Sequence, residues 1–352
     1  MEQTYDIGKS YQFNYERGPA LSHPAPPVPA GPMKRFLGFA VRSRIGIAAG
    51  LLLNSKWISG YSQRGFDILT YKTVRSVHRS CYDLPNWVFV DDEGRKDGSV
   101  YVTDRLPEDP AQISSAVCFG MPSMAPDVWR EDVRRAKTAL RDGQMLIVSV
   151  VATPKATPTA EDLSADFAQC ARWAVEAGAD AIEANFSCPN VCSGEGTIYM
   201  DAVLSRAVAT RIREAQGPKT PLLIKAGHIA DPARLRTFLK AINGIADGIT
   251  LVNCIVRAVL HRDGRPVFGE MFRKVGVLGR TIHQPSVETV RQTARIVKEE
   301  GWKLAIAAVG GAARPDDVQD FFAAGADAVQ FGSAPMYLPD LAVHLKSLHP
   351  EW

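Results

Sequence analysis

Short apolar runs recur along the chain, at 45–50 (IGIAAG), 67–73 (DILTYKT), 145–151 (MLIVSVV), 181–187 (AIEANFS), 221–227 (PLLIKAG), 248–254 (GITLVNC), 304–311 (LAIAAVGG) and 327–333 (DAVQFGS). They are continuous rather than alternating, which predicts parallel strands covered on both faces. Helical patterns lie between several of them. Leu163, Phe167, Cys170 and Ala174 fall at i, i+4, i+7 and i+11, one face of a helix. The segment DPARLRTFLKAING supplies an aspartate cap, a proline in the first turn and Asn-Gly at the end. The unit also repeats. EAGADAIEANFS and AAGADAVQFGS share a helix end, a Gly-Ala-Asp turn and a strand, and INGIADGITLVN is a looser copy. A recurring αβ unit with eight strands predicts an α/β fold of the (β/α)8 barrel type, with a doubly wound sheet as the alternative. Active sites of such barrels sit at the carboxyl ends of the strands, where the polar exits of these runs converge.

Two long connections interrupt the pattern. Residues 86–103 look like a β-hairpin with a charged tip, inserted between the second and third strands. Residues 255–276 form a second insertion after the sixth. Both are expected over the carboxyl-terminal face as lids or walls of a site. Residues 1–33 are polar, then proline-dense, with no sustained periodicity, and predict an arm lying on the surface or on a neighbouring subunit. The barrel then occupies 34–352.

Composition narrows the partners. The 352 residues are 46% apolar and 22% charged, the profile of a soluble globular protein. Lys plus Arg exceed Asp plus Glu by only three (41 minus 38), without a long basic block, so no nucleic-acid partner is expected. The longest apolar run, Ile45 to Leu53, falls short of the ~20 residues of a membrane helix. The N-terminus shows no basic-then-apolar signal, so a cytoplasmic location away from membranes is expected. Six cysteines, at 81, 118, 170, 188, 192 and 254, match no zinc or iron–sulfur spacing. No metal is expected, and each thiol reads by default as a small buried apolar group.

Candidate chemistry lies at the strand ends. VGG (309–311) and FGS (331–333) close the seventh and eighth strands, where glycine-freed amides form the phosphate cradle of many barrels; plain tight turns are the alternative. Lys72 and Lys225 each end a strand in an apolar setting. Burying a lysine there is costly unless it faces an anion or an electron-rich ring; otherwise it reaches solvent.

From Ile45 to the end these motifs resemble, in order, the FMN-dependent dihydroorotate dehydrogenases in their soluble class 1 form. IGIAAG resembles the strand beside the flavin, YKT the family's Thr-Lys-Ser, and SAVCFGMPS a changed Asn-Ser-Met-Gly-Leu-Pro-Asn. NFSCPN is nearly Asn-Leu-Ser-Cys-Pro-Asn, LVNC resembles Val-Asn-Ser, and VGG and FGS resemble the turns that hold the FMN phosphate. The resemblance implies FMN as cofactor, contacted by Ala48, Ala49, Gly50, Lys72, Thr73, Asn185, Lys225, Asn253, Gly279, Gly310, Gly311, Gly332 and Ser333. It implies that Cys188 is the base taking a proton from a carbon next to a carbonyl, while hydride leaves the adjacent carbon for flavin N5. Lys225 would face the flavin N1–O2 edge and Lys72 would sit between flavin and substrate, with a catalytic role. Substrate contacts would come from Lys72, Val117, Gly120, Met121, Asn185, Asn190, Asn253 and Cys254, the amides offering donor and acceptor together. A homodimer is implied, passing electrons to fumarate, another soluble acceptor or a partner flavoprotein.

The chain also departs from the family. Val117 stands where the family places an asparagine that contacts the orotate ring, Ser123 replaces the closing asparagine, and Cys254 replaces a serine. Ser114 or Ser115 is the nearest hydroxyl if the register slides. An unpaired polar group on the substrate costs on the order of 1–3 kcal/mol. The expectation is therefore an FMN oxidoreductase acting on a CH–CH bond in a small molecule other than dihydroorotate. A true dihydroorotate dehydrogenase of pyrimidine biosynthesis is the alternative. A redox-inactive phosphate-binding barrel is the reading from another class, and Cys188, Lys72 and Lys225 argue against it.

Overall fold

All eight apolar runs are strands, and they close into one ring. The computed structural model of the chain describes residues 3–94, 98–155, 159–187 and 197–352. The strands are β1 (Ile45–Ile47), β2 (Ile68–Val74), β3 (Met145–Val150), β4 (Ala181–Asn185), β5 (Leu222–Lys225), β6 (Gly248–Leu251), β7 (Ala305–Val309) and β8 (Ala328–Phe331). Each pairs in parallel with the next, and Val329 of β8 lies opposite Ile45 of β1, which completes a (β/α)8 barrel.

The interior is layered by the pleat, because side chains two residues apart share a face. At the amino-terminal end Ile68, Met145, Ile147, Ala181, Leu223, Ala307 and Ala328 pack against Phe36 and Val41. Those two belong to an antiparallel hairpin, Lys34–Phe36 with Phe39–Val41, that plugs this end. Two residues along the strands the fill turns polar, with Thr70, Ser149, Glu183, Thr250 and Gln330 all fully buried. Two residues further come Lys72 and Asn185, with Lys225 of the next strand in register with Asn185.

The repeated turn has a structural reason. Asp180, Asp247 and Asp327, one in each copy, accept the amide N–H of Leu146, Leu222 and Ile306 at 2.8, 2.7 and 2.8 Å. Each also donates its own N–H to the carbonyl of that same residue. The turn thus clips the start of one strand to its neighbour and fixes the register of the ring. The intervening helices follow the sequence signals. Ala160–Glu176 opens with a Thr159–Asp162 capping box and buries Leu163, Phe167, Cys170 and Ala174. Pro232–Ile242 is capped by Asp231.

Over the carboxyl-terminal face the two insertions are joined rather than separate. Strands Trp87–Asp91, Val100–Val102, Ser114–Val117, Ile255–Leu260 and Lys274–Gly279 form a second, five-stranded closed sheet. Ser114–Val117 pairs with both Trp87–Asp91 and Lys274–Gly279 and is the link that the sequence did not announce.

The N-terminal segment departs from the expected surface arm. Residues Tyr11–Arg17 form a helix capped by Ser10. Tyr5 is fully buried, its ring centroid 6.0 Å from Trp57, 5.2 Å from Trp87 and 6.0 Å from Phe119. Its aromatic surface gains more from this pocket than from water, so the segment docks on its own barrel. Outside that helix, residues 3–10 and 18–33, the proline-dense stretch included, run without helix or strand. Among the described residues no helix is long and apolar enough to cross a membrane.

Asp180→Ala removes the acceptor for the Leu146 amide and the partner of Lys137, which sits 2.6 Å away. We expect a loss of about 1–3 kcal/mol, read as a lower urea midpoint, with Asp180→Asn losing less because it keeps an acceptor oxygen.

Candidate active site

The carboxyl ends of the strands open into one cleft, roofed by the five-stranded sheet. It encloses about 1210 Å³ of space, part of it open to solvent. Ala48, Ala49 and Gly50 enter it from the end of β1, Lys72 and Thr73 from β2, Asn185 from β4 and Lys225 from β5. Asn253 and Cys254 follow β6, Gly310 and Gly311 follow β7, and Gly332 and Ser333 follow β8. The roof contributes Trp87, Val117, Gly276, Leu278 and Gly279.

Asn185 is the hub of the floor. Its Nδ2 donates to Thr73 Oγ1 at 3.5 Å and to Met121 Sδ at 3.7 Å. Its Oδ1 accepts from the Ser187 amide at 3.1 Å and from Asn253 Nδ2 at 3.5 Å. Asn253 Nδ2 also donates to the Ser187 carbonyl, so the backbone just before Cys188 is tied to β6. Cys188 and Asn190 themselves lie outside the described residues. Lys225 is almost fully buried; its Nζ donates to the Ala49 carbonyl at 3.5 Å and lies 3.6 Å from Glu183 Oε1.

Gly120 packs its Cα face on Tyr82: a Cβ there would meet the Tyr82 ring at 2.5 Å, and its φ is 71°. The residue serves the turn and the packing of Tyr82, while the adjacent Met121 reaches the cleft. Arg75, which sequence reasoning missed, holds this turn. Its Nε donates to the Met121 carbonyl at 3.0 Å and its Nη1 to the Ala152 carbonyl at 2.6 Å. Ser123 accepts the Arg75 amide N–H at 3.0 Å and faces that backbone instead of the cleft. Neither Ser114 nor Ser115 lines the cleft; Ser114 accepts the Thr281 amide N–H at 3.0 Å. Val117 is the side chain that the wall presents here.

The glycines divide into two kinds. A Cβ on Gly310 would meet Ser286 Oγ at 2.2 Å, and on Gly311 the Gly279 carbonyl oxygen at 2.4 Å, both at positive φ. Packing alone demands glycine at these two. At Gly50 and Gly332 a Cβ would meet nothing within 4 Å, so bare backbone faces open cleft. Behind the β7 turn, His283 Nδ1 donates to the Gly310 carbonyl at 3.2 Å. Asp317 accepts from the Ala313 and Arg314 amides at 2.9 and 3.1 Å and from Arg280 Nη1 at 2.6 Å. Arg280 reaches the cleft beside Gly279; its signal, a cation next to a glycine turn, was visible in VLGR. Burial raises the Tyr337 phenol well above its usual value, so this wall residue stays neutral.

A buried amide hub, two lysines and bare glycine turns at the mouth of a (β/α)8 barrel make a site for an anionic, planar group and a small molecule beside it. Comparison with known proteins makes this specific. A family model described as dihydroorotate dehydrogenase matches residues 108–346. The chain is 32% identical over 357 residues to the dihydroorotate dehydrogenase of Dictyostelium discoideum, spanning 96% of this chain and 95% of that one. It is 26% identical over 312 residues to the quinone-type enzyme of Deinococcus radiodurans, covering 84% and 73%. It is 28% identical over 177 residues to the catalytic subunit of the NAD(+) enzyme, dihydroorotate dehydrogenase B, of Bacillus cytotoxicus, covering 49% and 54%. The solved dihydroorotate dehydrogenase of Eimeria tenella, in complex with ferulenol, shares the fold, with a TM-score of 0.70 at 17% identity over 90% of this chain and 82% of that one. The chain belongs to the dihydroorotate dehydrogenase family, and so to a family of oxidoreductases.

The two kinds of glycine separate in a stability measurement. Gly310→Ala is expected to cost about 1–3 kcal/mol through its clash and its backbone conformation, whereas Gly332→Ala should change the urea midpoint by no more than about 0.5 kcal/mol.

Proposed function

We propose that the chain binds FMN in this cleft and oxidises dihydroorotate. The observation that carries the reading is that Lys72, Lys225, Asn185 and the closing glycine turns, far apart in sequence, line one cleft. End-to-end similarity to a relative named dihydroorotate dehydrogenase supports the substrate. The cleft fits the cofactor. Gly332, with open space above its backbone, and the amides around it would take the phosphate; Arg280 stands across the same end. Ala48, Ala49 and Gly50 offer a flat, small-residue edge for a ring, and Lys225 a buried positive charge beside it.

FMN, when bound, supplies a two-electron acceptor for the hydride that leaves the substrate carbon. Cys188 Sγ takes the proton from the neighbouring carbon, leaving a C=C bond; a thiol suits this when its pKa approaches the working pH. Asn185, Asn253 and Asn190 hold the substrate ring through paired donors and acceptors. Their bonds to one another, and to Ser187, keep the described amides oriented before substrate arrives. Lys72, from β2, fixes the substrate against the cofactor, and the roof residues Trp87 and Leu278 keep water from the reacting face. Electrons then pass to a soluble acceptor or a partner flavoprotein, from a homodimer in the cytoplasm.

Val117 favours a second reading. It lines the cleft where a polar wall would help an imide ring, and no serine of its strand takes its place. The expectation of another substrate rests chiefly on this residue, with Cys254, which also lines the cleft, as the second departure there.

The experiment is anaerobic mixing of FMN-loaded protein with dihydroorotate. Rapid bleaching of the flavin band is expected; a flavin that stays oxidised turns the assignment to another substrate. Cys188→Ala should slow flavin reduction by at least about 100-fold, the lower range for a lost general base, and an unslowed variant removes Cys188 from that role.

A further inference from the structure

Glu183 has no part in the chemistry described so far, yet its burial demands a reason. It lies in the middle of β4, fully buried, one pleat below Asn185. Among the described residues neither carboxylate oxygen has a hydrogen-bond partner. Its nearest cation is Lys225 on the adjacent strand, with Nζ 3.6 Å from Oε1. The ladder explains the approach: Asn185 is in register with Lys225 and Glu183 with Leu223, so the lysine stem stands diagonally above the carboxylate. Ser149 stands level with Glu183 on the other neighbouring strand, and its hydroxyl bonds Thr73 instead.

A carboxylate in such a place is costly to keep ionised unless a cation offsets it. Hydrogen bonds are not the compensation here, so the Coulombic pairing with Lys225 is what remains. The effect is reciprocal. Whatever Glu183 gains from the ammonium, the ammonium loses from the potential it projects into the cleft. Water is excluded from both partners, so this attenuation is large compared with a surface pair.

We propose that Glu183 is a positioning residue that sets, through Lys225, the charge felt by the reducible edge of the bound cofactor. The inference rests on the FMN reading of this cleft and deepens it. Lys225 at full positive charge would favour the two-electron-reduced, more negative form; the carboxylate behind it holds that preference down. Lys72 shares the cleft mouth as a second lysine.

Glu183→Gln tests this with shape nearly preserved and the charge removed. The flavin midpoint potential, measured by anaerobic titration with reference dyes, should become more positive. The expected size is at least tenfold in the two-electron equilibrium, or ~30 mV. A residue that merely filled space would change the denaturation midpoint and leave the potential where it was. Should Glu183→Gln fail to fold, Glu183→Asp, which withdraws the carboxylate by one methylene, is expected to move the potential in the same direction by a smaller amount. A flavin-loaded variant with an unmoved or more negative potential overturns the inference alone. Wild-type protein that takes up no flavin overturns the FMN reading, and this inference with it.

Discussion

Closure of eight parallel strands is the constraint on which the rest depends. A ring of strands delivers every carboxyl end to one mouth, and residues as distant in sequence as Ala48 and Ser333 share a wall there. Closure requires register, and the three aspartate turns supply it by clipping strand starts to their neighbours. It also requires the interior to be filled. The apolar layer at the closed end, completed by the hairpin carrying Phe36 and Val41, seals the barrel and leaves the polar layers to the open end.

The polarity gradient along the barrel axis explains the site. Apolar fill gives way to Thr70, Ser149, Glu183, Thr250 and Gln330, and then to Lys72, Asn185 and Lys225 facing the cleft. Several of the polar groups at the mouth are held by neighbours: Thr73 by Ser149, Asn185 by Thr73 and Asn253, Lys225 by Glu183 and the Ala49 carbonyl. The cleft is therefore organised before a ligand arrives, which lowers the ordering cost of binding.

Much of this was legible in the residues, and the reasons differ from element to element. The eight strands stood out because buried parallel strands are continuous apolar runs, and the Gly-Ala-Asp repeat marked their order. The sequence ran the strands two or three residues too long at 248–254 and 327–333, since the polar residues that follow a strand at a barrel mouth still point inward. Ser114–Val117 escaped notice because four small residues carry no period, and Tyr5 because one aromatic in a polar segment has no pattern to belong to. Lys72, Asn185 and Lys225 were found by type and place. Glu183 was readable as a charge inside a buried strand, but its meaning depends on Lys225, forty-two positions away (225 minus 183), which only the ladder brings close. The packing of Gly120 on Tyr82 could not be read from order alone, because two successive positive φ values set the faces of this turn. Cys188 and Asn190 rest on motif alone.

If the barrel mouth holds one FMN, the visible spectrum of the purified protein reports it directly. The protein should be yellow and release one FMN per chain on denaturation, and its apoprotein should recover the colour when FMN is returned. A colourless chain that takes up no FMN under any loading condition contradicts it.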